Sequence, residues 1–380
     1  MLQRIELRDF KCFTNLKLEL GKLTVLAGVN AAGKSSIIQA LVLLHQALAE
    51  GGAHGEFRTT LPLSGPLVNV GSVREVINQS GGGRQFGISL TADQSTFDWS
   101  FAREDSSALD AKVMELRWGT FKAPELLPDA ASKDCPELVE LIKTMKYVPA
   151  DRIGPAEVYP LLEVKRHDSL GPRAERAVGV LYWHGRDQDV HAPLRHPDST
   201  LVPKLLEQTQ AYLKDLFPHT NIEVSNVKNA NFVTLGVRTR DEHNFHRPLN
   251  VGFGITYTIP IVVALLSAGP RGFVVIENPE SHLHPRAQVQ LARLIARYVM
   301  SGGQVLLETH SDHIVNALRV AIAKRSLDAS YVALYWLEPD LDSGAIEPRR
   351  ILIDPRGRLS ERPRGFFDEI ELQLGKLYDA

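Results

Sequence analysis

Four short apolar runs punctuate the chain. They read LTVLA, FVVI, QVLL and YVALYWL, at 23–27, 273–276, 304–307 and 331–337. Runs of this length predict strands that are buried on both faces of a sheet. The stretch 286–300 has apolar residues at 287, 291, 294, 295 and 298, which is the spacing of an amphipathic helix. Strands that alternate with helices in this way predict a parallel sheet covered by helices.

Other segments add elements of both kinds. The stretch 35–50 is apolar almost all round and predicts a buried helix, and 312–324 predicts another. Strands are predicted at 2–8 and within 16–27. Between 60 and 120, short alternating runs such as FGISL and FDWSF are typical of antiparallel strands and hairpins.

The middle of the chain has the weakest pattern. Helices are predicted there at Pro136–Lys146 and Leu201–Leu216, within polar loops. The expected fold class is α/β, with a mixed sheet, flanking helices and a β-rich N-terminal lobe. The expected parts are an N-terminal lobe (1–125), an irregular helical insertion (126–245), a C-terminal lobe (246–345) and a basic tail (346–380).

Composition then excludes several classes of protein. The 380 residues are 44% hydrophobic and 23% charged, with a formal net charge of −2, so no global polycation points to nucleic acid. The two cysteines form no CxxC pair, which argues against a disulfide framework or a zinc site. The charged N-terminus lacks the apolar core of a signal peptide. Because the most apolar stretch, Ile255–Ala268, is too short to span a bilayer, we expect a cytoplasmic protein with no membrane contact.

A phosphate-binding pattern lies between the first buried strand and the helix that follows it. GVNAAGKSS at 28–36 fits G-x4-G-K-[ST] in the strand–loop–helix context that the pattern requires. Glycines let successive backbone N–H groups converge on phosphate oxygens. Lys34 is then expected to reach the β and γ phosphates, and the Ser35 hydroxyl to bind Mg²⁺. The residues predicted to bind the nucleotide are Asn30, Ala31, Ala32, Gly33, Lys34, Ser35 and Ser36.

Two later strands end in chemistry that complements this loop. FVVIE ends in Glu277, which is predicted to hold Mg²⁺ as the acid of a P-loop site. The next residue is Asn278, where many such sites have a second acid. The next strand leads through ETHSDH to His310.

These motifs resemble a known group of proteins. ENPESHLHPRAQ (277–288), ETHSDH (308–313) and GFFDE (365–369) are similar to motifs of small bacterial ABC-type ATPases of the RecF/SMC/OLD kind, often called AAA family ATPases. The opening IELRDFKCFTNLKLEL resembles them as well. The resemblance implies a P-loop ABC-type head whose ATP is held between two heads. Residues 126–245 match only loosely, through YVPADRIGP.

The resemblance also implies that each head completes the site of the other. Asn250, Gly252 and Gly254 in NVGFGITYTIP match the segment that contacts the partner's nucleotide, although the usual Ser-Gly-Gly-Glu core is absent. A glycine-rich entry to a buried helix is the alternative. Ser281–His284 would be the D-loop, and His310 the switch histidine.

Three smaller assignments follow by the same analogy. Phe10–Phe13 would lie near the adenine, and Gln79 is a candidate for the Q-loop glutamine. Arg152 either contacts a phosphate or has a structural role, which we favour. A metal site at Glu280, His282 and His284 is the alternative to the D-loop.

The predicted function is ATP binding and slow hydrolysis that drives dimerisation of the heads. The setting implied by the resemblance is a motor or sensor subunit in bacterial genome maintenance or anti-phage defence. Because no TOPRIM-type acid cluster follows residue 313, a nuclease or toxic effector would be a separate protein. A non-catalytic ATP-gated scaffold stays open, and so does a P-loop small-molecule kinase, although the 243 residues from Lys34 to Glu277 argue against the kinase.

The basic tail leaves a further partner open. Residues 349–365 hold six arginines and two acids, which can contact nucleic acid phosphates. A solvated tail or a docking strip for an acidic partner is favoured, given the net charge. Gly365–Phe367 is expected to anchor this tail.

The base that activates water is the open chemical question. In related ATPases with an Asp-Glu pair the second acid polarises the attacking water, and an amide at Asn278 has no useful basicity. Hydrolysis is therefore predicted to be slow. Glu280, two residues on, is the predicted base, and a partner protein is the alternative source.

Overall fold

A computed structural model describes residues 1–50, 59–79, 83–102, 108–162, 170–198, 200–240, 244–340, 343–363 and 365. Its strands are β1 Leu2–Phe10, β2 Phe13–Glu19, β3 Leu23–Gly28, β4 Thr60–Pro62, β5 Gln85–Ala92, β6 Ser95–Ala102, β7 Asp110–Trp118, β8 Phe121–Ala123, β9 Lys146–Val148, β10 Tyr159–Pro160, β11 Asn221–Asn226, β12 Phe232–Arg238, β13 Phe273–Glu277, β14 Gln304–Glu308, β15 Val332–Leu337 and β16 Arg349–Ile351. Its helices are α1 Lys34–Glu50, α2 Val73–Val76, α3 Asp129–Asp134, α4 Pro136–Lys143, α5 Ala177–His184, α6 Leu205–Leu216, α7 Phe253–Ser267, α8 Pro285–Met300 and α9 Asp312–Ala323.

An antiparallel sheet forms the N-terminal lobe, in the order β2-β1-β5-β6-β7-β4, with β8 paired to β7. Alternation along β6 turns Phe97, Trp99 and Phe101 inward. This inner face packs with α1 into one apolar cluster. The antiparallel strands predicted between 60 and 120 are therefore confirmed, as is the β-rich N-terminal lobe.

The second large sheet carries the functional residues. Its order is β16-β15-β3-β14-β13-β9, and its strands are parallel except for β16, which runs antiparallel to β15. Helix α8 connects β13 to β14 and helix α9 connects β14 to β15. Because the strands are parallel, β3, β13 and β14 end at the same edge, and Glu277 lies directly opposite Glu308. The predicted strand–helix alternation and mixed sheet are confirmed.

The two helices predicted in the middle of the chain are shorter in the structure. Helix α4 ends at Lys143, and the predicted continuation to Lys146 is wrong because β9 begins there and pairs with β13. Helix α6 begins at Leu205, since the extended Lys204 precedes it. Strands β11 and β12 were not predicted; they form a small sheet with β10 that is half exposed, so polar residues interrupt its apolar alternation.

Two apolar cores lie on the two sides of the parallel sheet. One combines α1 with the antiparallel sheet, and the other combines α5 to α9 with the small sheet. The predicted site therefore lies on a sheet that is held between two buried layers.

Within the described residues, no helix is long and apolar enough to cross a membrane.

Candidate functional site

The loop between β3 and α1 is shaped for close backbone approach. Ala31 and Gly33 have positive φ angles of 62° and 79°, a region that favours glycine. A Cβ on Gly33 would lie 2.6 Å from Cys12 Sγ and from the ring of Phe13. A Cβ on Gly28 would collide with the carbonyl of Leu337 on the neighbouring strand β15. Glycine is thus required at both positions for the loop to follow this course.

Lys34, the first residue of α1, has its ammonium group inside the loop. Its Nζ donates to the carbonyls of Gly28 at 3.1 Å and Val29 at 2.7 Å. The side chain is only 3% exposed, and burial lowers the pKa of Lys34. Phosphate oxygens can replace these two carbonyls as acceptors of a charged hydrogen bond.

A cleft of about 390 Å³ opens over this loop. Its walls come from the loop, the β1–β2 turn and the ends of β13 and β14. The residues that line it are Lys11, Cys12, Asn30, Ala31, Ala32, Gly33, Lys34, Ser35, Ser36, Asn278, Glu308 and His310.

Glu308 is the acid that meets the P-loop serine. Both of its carboxylate oxygens lie 3.2 Å from Ser35 Oγ. Glu308 is 4% exposed, and burial raises its pKa while the nearby Lys34 charge opposes that rise. Glu308 lies within ETHSDH and is not part of the site predicted from the sequence. The signal that could have found it is an acid that ends a strand next to the P-loop strand.

Glu277, the predicted Mg²⁺ acid, lies one strand further away. Its Oε1 accepts a hydrogen bond of 2.7 Å from the hydroxyl of Tyr147 on β9. Burial raises the pKa of Glu277 to about 7. Among the described residues that line the cleft, Glu277 is not included. Its role as a metal ligand therefore stays a prediction.

Asn278 follows β13 in an unusual backbone conformation, with φ at 42°. Its N–H donates to the carbonyl of Glu308 at 2.9 Å, and its side chain lines the cleft. The amide oxygen Oδ1 is buried and has no hydrogen-bond partner among the described residues. A buried acceptor without a donor is costly, so this atom is expected to be satisfied by a bound group or water.

Glu280 and His310 form a bridge between the segments that follow β13 and β14. Glu280 Oε2 accepts from the Thr309 hydroxyl at 2.8 Å, and Oε1 accepts from the His310 N–H at 2.7 Å. Glu280 does not line the cleft, whereas His310 does. Burial lowers the pKa of His310, and the Lys34 charge lowers it further. Glu280 thus holds the backbone of His310 beside the cleft.

Arg152 is fully buried and serves the backbone of this edge. Its guanidinium donates to the carbonyls of Pro149 and Glu277, each at 2.7 Å, of Asn278 at 2.9 Å and of Tyr257 at 3.1 Å. It does not reach the described walls of the cleft. These contacts agree with the structural role favoured from the sequence.

The three predicted signature residues lie away from the cleft. Asn250 ends a 3-10 turn, and Gly252 precedes α7 with open space beside its Cα. A Cβ on Gly254 would lie 2.7 Å from the carbonyl of His282, and the rings of Phe253 and His282 are 5.3 Å apart. The signature segment and the predicted D-loop therefore form one surface, separate from the nucleotide cleft of the same chain.

The remaining predictions have mixed outcomes. The β1–β2 turn borders the cleft through Lys11 and Cys12, but Phe10 and Phe13 are buried and do not offer a face to adenine. Gln79 donates to the Arg74 carbonyl and is not among the described lining residues.

The structure also describes the residues of the alternative metal site and part of the basic tail. No group of three described side chains could hold a metal at Glu280, His282 and His284, and His284 instead caps α8. In the tail, Arg349 pairs with Glu338 and Glu361, so part of the basic charge is compensated. The predicted anchor residues Phe366 and Phe367 lie outside the described residues.

Comparison with known families supports a nucleotide-binding head. Residues 1–67 match a model described as "AAA ATPase domain", and residues 166–316 match "AAA domain, putative AbiEii toxin, Type IV TA system". Residues 327–377 match a family of proteins of unknown function, DUF3696. An OLD nuclease of Thermus scotoductus is 22% identical over 361 residues, which cover 90% of this chain and 65% of that nuclease.

Solved structures agree in fold. An SMC head bound to the C-terminal winged-helix domain of ScpA has a TM-score of 0.55 at 12% identity, covering 93% of this chain and 98% of that one. An SMC head with an extended coiled coil, bound to the C-terminal domain of ScpA derived from Pyrococcus furiosus, has a TM-score of 0.52 at 11% identity, covering 99% of each chain. The fold is therefore that of an SMC-type ATPase head.

Proposed function

We propose that the chain binds ATP with Mg²⁺ in the cleft and hydrolyses it slowly, a function supported by its likeness to AAA ATPase domains, to an OLD nuclease and to SMC heads. The observation that carries this proposal is the P-loop itself. Lys34 Nζ lies inside the loop, bonded to two of its carbonyls, and Ser35 lies beside it at the start of a buried helix. Backbone N–H groups and the helix N-terminus supply the rest of a phosphate site.

The donors at this edge suit a hard cation. Ser35, Asn278 and Glu308 line the cleft and carry side-chain oxygens, and Mg²⁺ prefers oxygen ligands. When bound, Mg²⁺ would supply positive charge to the phosphates. The chain's own residues would orient the reaction: Lys34 would bind phosphate, Asn278 could orient a water through its amide oxygen, and His310 would lie near the γ-phosphate.

Lys34→Ala tests this assignment. Removing the ammonium deletes a charged hydrogen bond to phosphate, worth about 1.5–3 kcal/mol. We expect at least a tenfold loss of ATP affinity, measured by calorimetry with a non-hydrolysable analogue. Lys133→Ala, on the exposed surface of α3, is the matched control and should bind as the wild type does. Unchanged affinity in Lys34→Ala would rule out the P-loop as the nucleotide site.

We further propose that two copies close around two ATP molecules, with Asn250, Gly252 and Gly254 facing the nucleotide of the partner. Two features support this. The three residues do not line the cleft of their own chain, and Gly252 is exposed at the start of α7, where N–H groups are free for an anion.

Gly252→Arg should then block the ATP-dependent dimer without unfolding the chain. A Cβ at Gly252 meets no atom of its own chain within 4 Å, so the larger side chain is expected to extend from the surface, where it would meet the partner. Light scattering with a non-hydrolysable ATP analogue should give a dimer for the wild type and a monomer for this variant. Gly252→Ala, which adds one methyl group, should still dimerise. A wild-type monomer, or a dimer that tolerates Gly252→Arg, would contradict the composite site.

The biological setting is proposed from the relatives alone. The family description that names a toxin and the likeness to an OLD nuclease support a motor or sensor subunit in bacterial defence or genome maintenance. The chain spans 65% of that nuclease. That a separate effector protein carries the final activity is part of the same proposal. A non-catalytic ATP-gated scaffold is the second candidate, because Asn278 replaces an acid at the cleft. Turnover that does not exceed that of Lys34→Ala would favour the scaffold.

A further inference from the structure

The cleft contains a carboxylate that the predicted site did not include. Glu308 ends β14, the strand that lies between the P-loop strand β3 and β13. Both of its oxygens are 3.2 Å from Ser35 Oγ, and its backbone carbonyl accepts the Asn278 N–H. It is therefore joined to both sides of the cleft.

The serine hydroxyl has only one proton to donate. In this arrangement Ser35 donates it to Glu308, so the Oγ lone pairs are left to face a cation. The nearly full burial of Glu308 also places its negative charge where water screens it weakly. An acid in this position orients a metal ligand and attracts the metal.

The competing acid is placed differently. Glu277 lies one strand beyond β14, and its Oε1 is occupied by the hydroxyl of Tyr147. It is absent from the described residues that line the cleft. The strand order thus brings Glu308, not Glu277, next to the loop that holds the phosphates.

We propose that Glu308 is the positioning acid for the magnesium ion of the bound nucleotide, and that it acts through Ser35 in the place usually given to the acid of the β13 strand. This inference rests on the proposed function, because it requires that Mg²⁺ and nucleotide bind in this cleft. Glu308 could instead only stabilise the P-loop and the N-terminus of α1. The two roles differ in their effect on magnesium.

The test measures nucleotide binding as a function of Mg²⁺, without turnover. ADP affinity is measured by calorimetry in EDTA and then across a Mg²⁺ titration. For Glu308→Gln we expect wild-type affinity or better in EDTA, and a half-saturating Mg²⁺ concentration raised about 10–100-fold, the usual cost of losing a partner of a metal ligand. Mn²⁺ in place of Mg²⁺ gives a second readout, since its bound fraction is measured directly by electron paramagnetic resonance.

Three variants separate the explanations. Glu137→Gln, an exposed acid on α4, is the matched control and should keep the wild-type Mg²⁺ dependence. Glu277→Gln is the competing case: a loss of Mg²⁺ dependence there, with none in Glu308→Gln, overturns the inference. Glu308→Asp keeps the charge but shortens the side chain. If Glu308→Gln does not fold, Glu308→Asp should by itself raise the half-saturating Mg²⁺ concentration above that of the wild type.

The failure of this inference is distinct from that of the proposed function. A wild-type protein that binds no nucleotide, with or without Mg²⁺, removes both. A wild-type protein that binds nucleotide, together with a Glu308→Gln variant that only melts at a lower temperature, removes the inference alone and leaves Glu308 a structural role.

Discussion

Arg152→Ala should cost about 3–5 kcal/mol of folding free energy, a large fraction of the 5–15 kcal/mol typical of a whole domain. The guanidinium is fully buried and bonds four backbone carbonyls from three segments, at Pro149, Tyr257 and the pair Glu277 and Asn278. Truncation removes a donor from each of these carbonyls. The Asn278 carbonyl keeps a second donor, the Ser281 N–H, and each buried acceptor left without one costs about 1–3 kcal/mol.

The measurement is the free energy of unfolding of the wild type and of Arg152→Ala, obtained by chemical denaturation. Arg152→Lys is the informative companion, because it keeps a charge but lacks the planar set of donors, and it should fall between wild type and Arg152→Ala. Arg293→Ala, on the exposed face of α8, should stay within about 0.5 kcal/mol of the wild type. An unfolding midpoint in Arg152→Ala equal to that of Arg293→Ala would contradict the structural role.

The sequence predicted the elements around the P-loop well, because their signals are local. A buried apolar run followed by glycines and an apolar helix needs no knowledge of distant residues, and β3 and α1 lie within one residue of the predicted bounds. The β13 and β14 strands were predicted for the same reason. The ends of β13 and β14 are visible in the sequence, because each apolar run stops at a glutamate.

The partners of the acids could not be predicted, because they depend on strand order. Which acid meets Ser35 is decided by β14 lying between β3 and β13, and no sequence spacing records that. The bond from Tyr147 to Glu277 was missed for a related reason. The sequence predicts a helix as far as Lys146, and only pairing with β13 makes Lys146–Val148 a strand. Likewise, Phe10 and Phe13 lie beside the cleft in sequence but turn into the core.

The interpretation of Asn278 carries the largest expected effect on catalysis. Asn278 lines the cleft, and its buried Oδ1 has no hydrogen-bond partner among the described residues, so we expect a water or a bound group to satisfy it. An amide can accept from that water but cannot take its proton. A positioned base is worth about 10²–10⁴-fold in rate. We therefore propose slow basal turnover and a long-lived ATP-bound state.

Asn278→Glu should raise kcat by about 10²-fold or more, since it supplies the missing base. Asn278→Asp is the isosteric companion: it keeps the side-chain length and the positive φ that Asn and Asp tolerate, and changes only the charge. Steady-state phosphate release at saturating ATP and Mg²⁺ is the measurement. Wild-type turnover of tens per second, unchanged in both variants, would show that Asn278 is not the limiting position.

Glu280→Gln then decides how the wild type hydrolyses ATP at all. Both Glu280 oxygens are bonded, to the Thr309 hydroxyl and the His310 N–H, so acting as a base requires Glu280 to leave these bonds. If Glu280 is the base, Glu280→Gln stops turnover and adding Asn278→Glu restores it, because a new base replaces the old one. If Glu280 only positions His310, Glu280→Gln should lower turnover by the same factor in the Asn278→Glu background as in the wild type. We expect Asn278→Glu to restore turnover in the double variant. If Glu280→Gln instead lowers turnover by the same factor in both backgrounds, Glu280 is not the base and a partner protein is the alternative source.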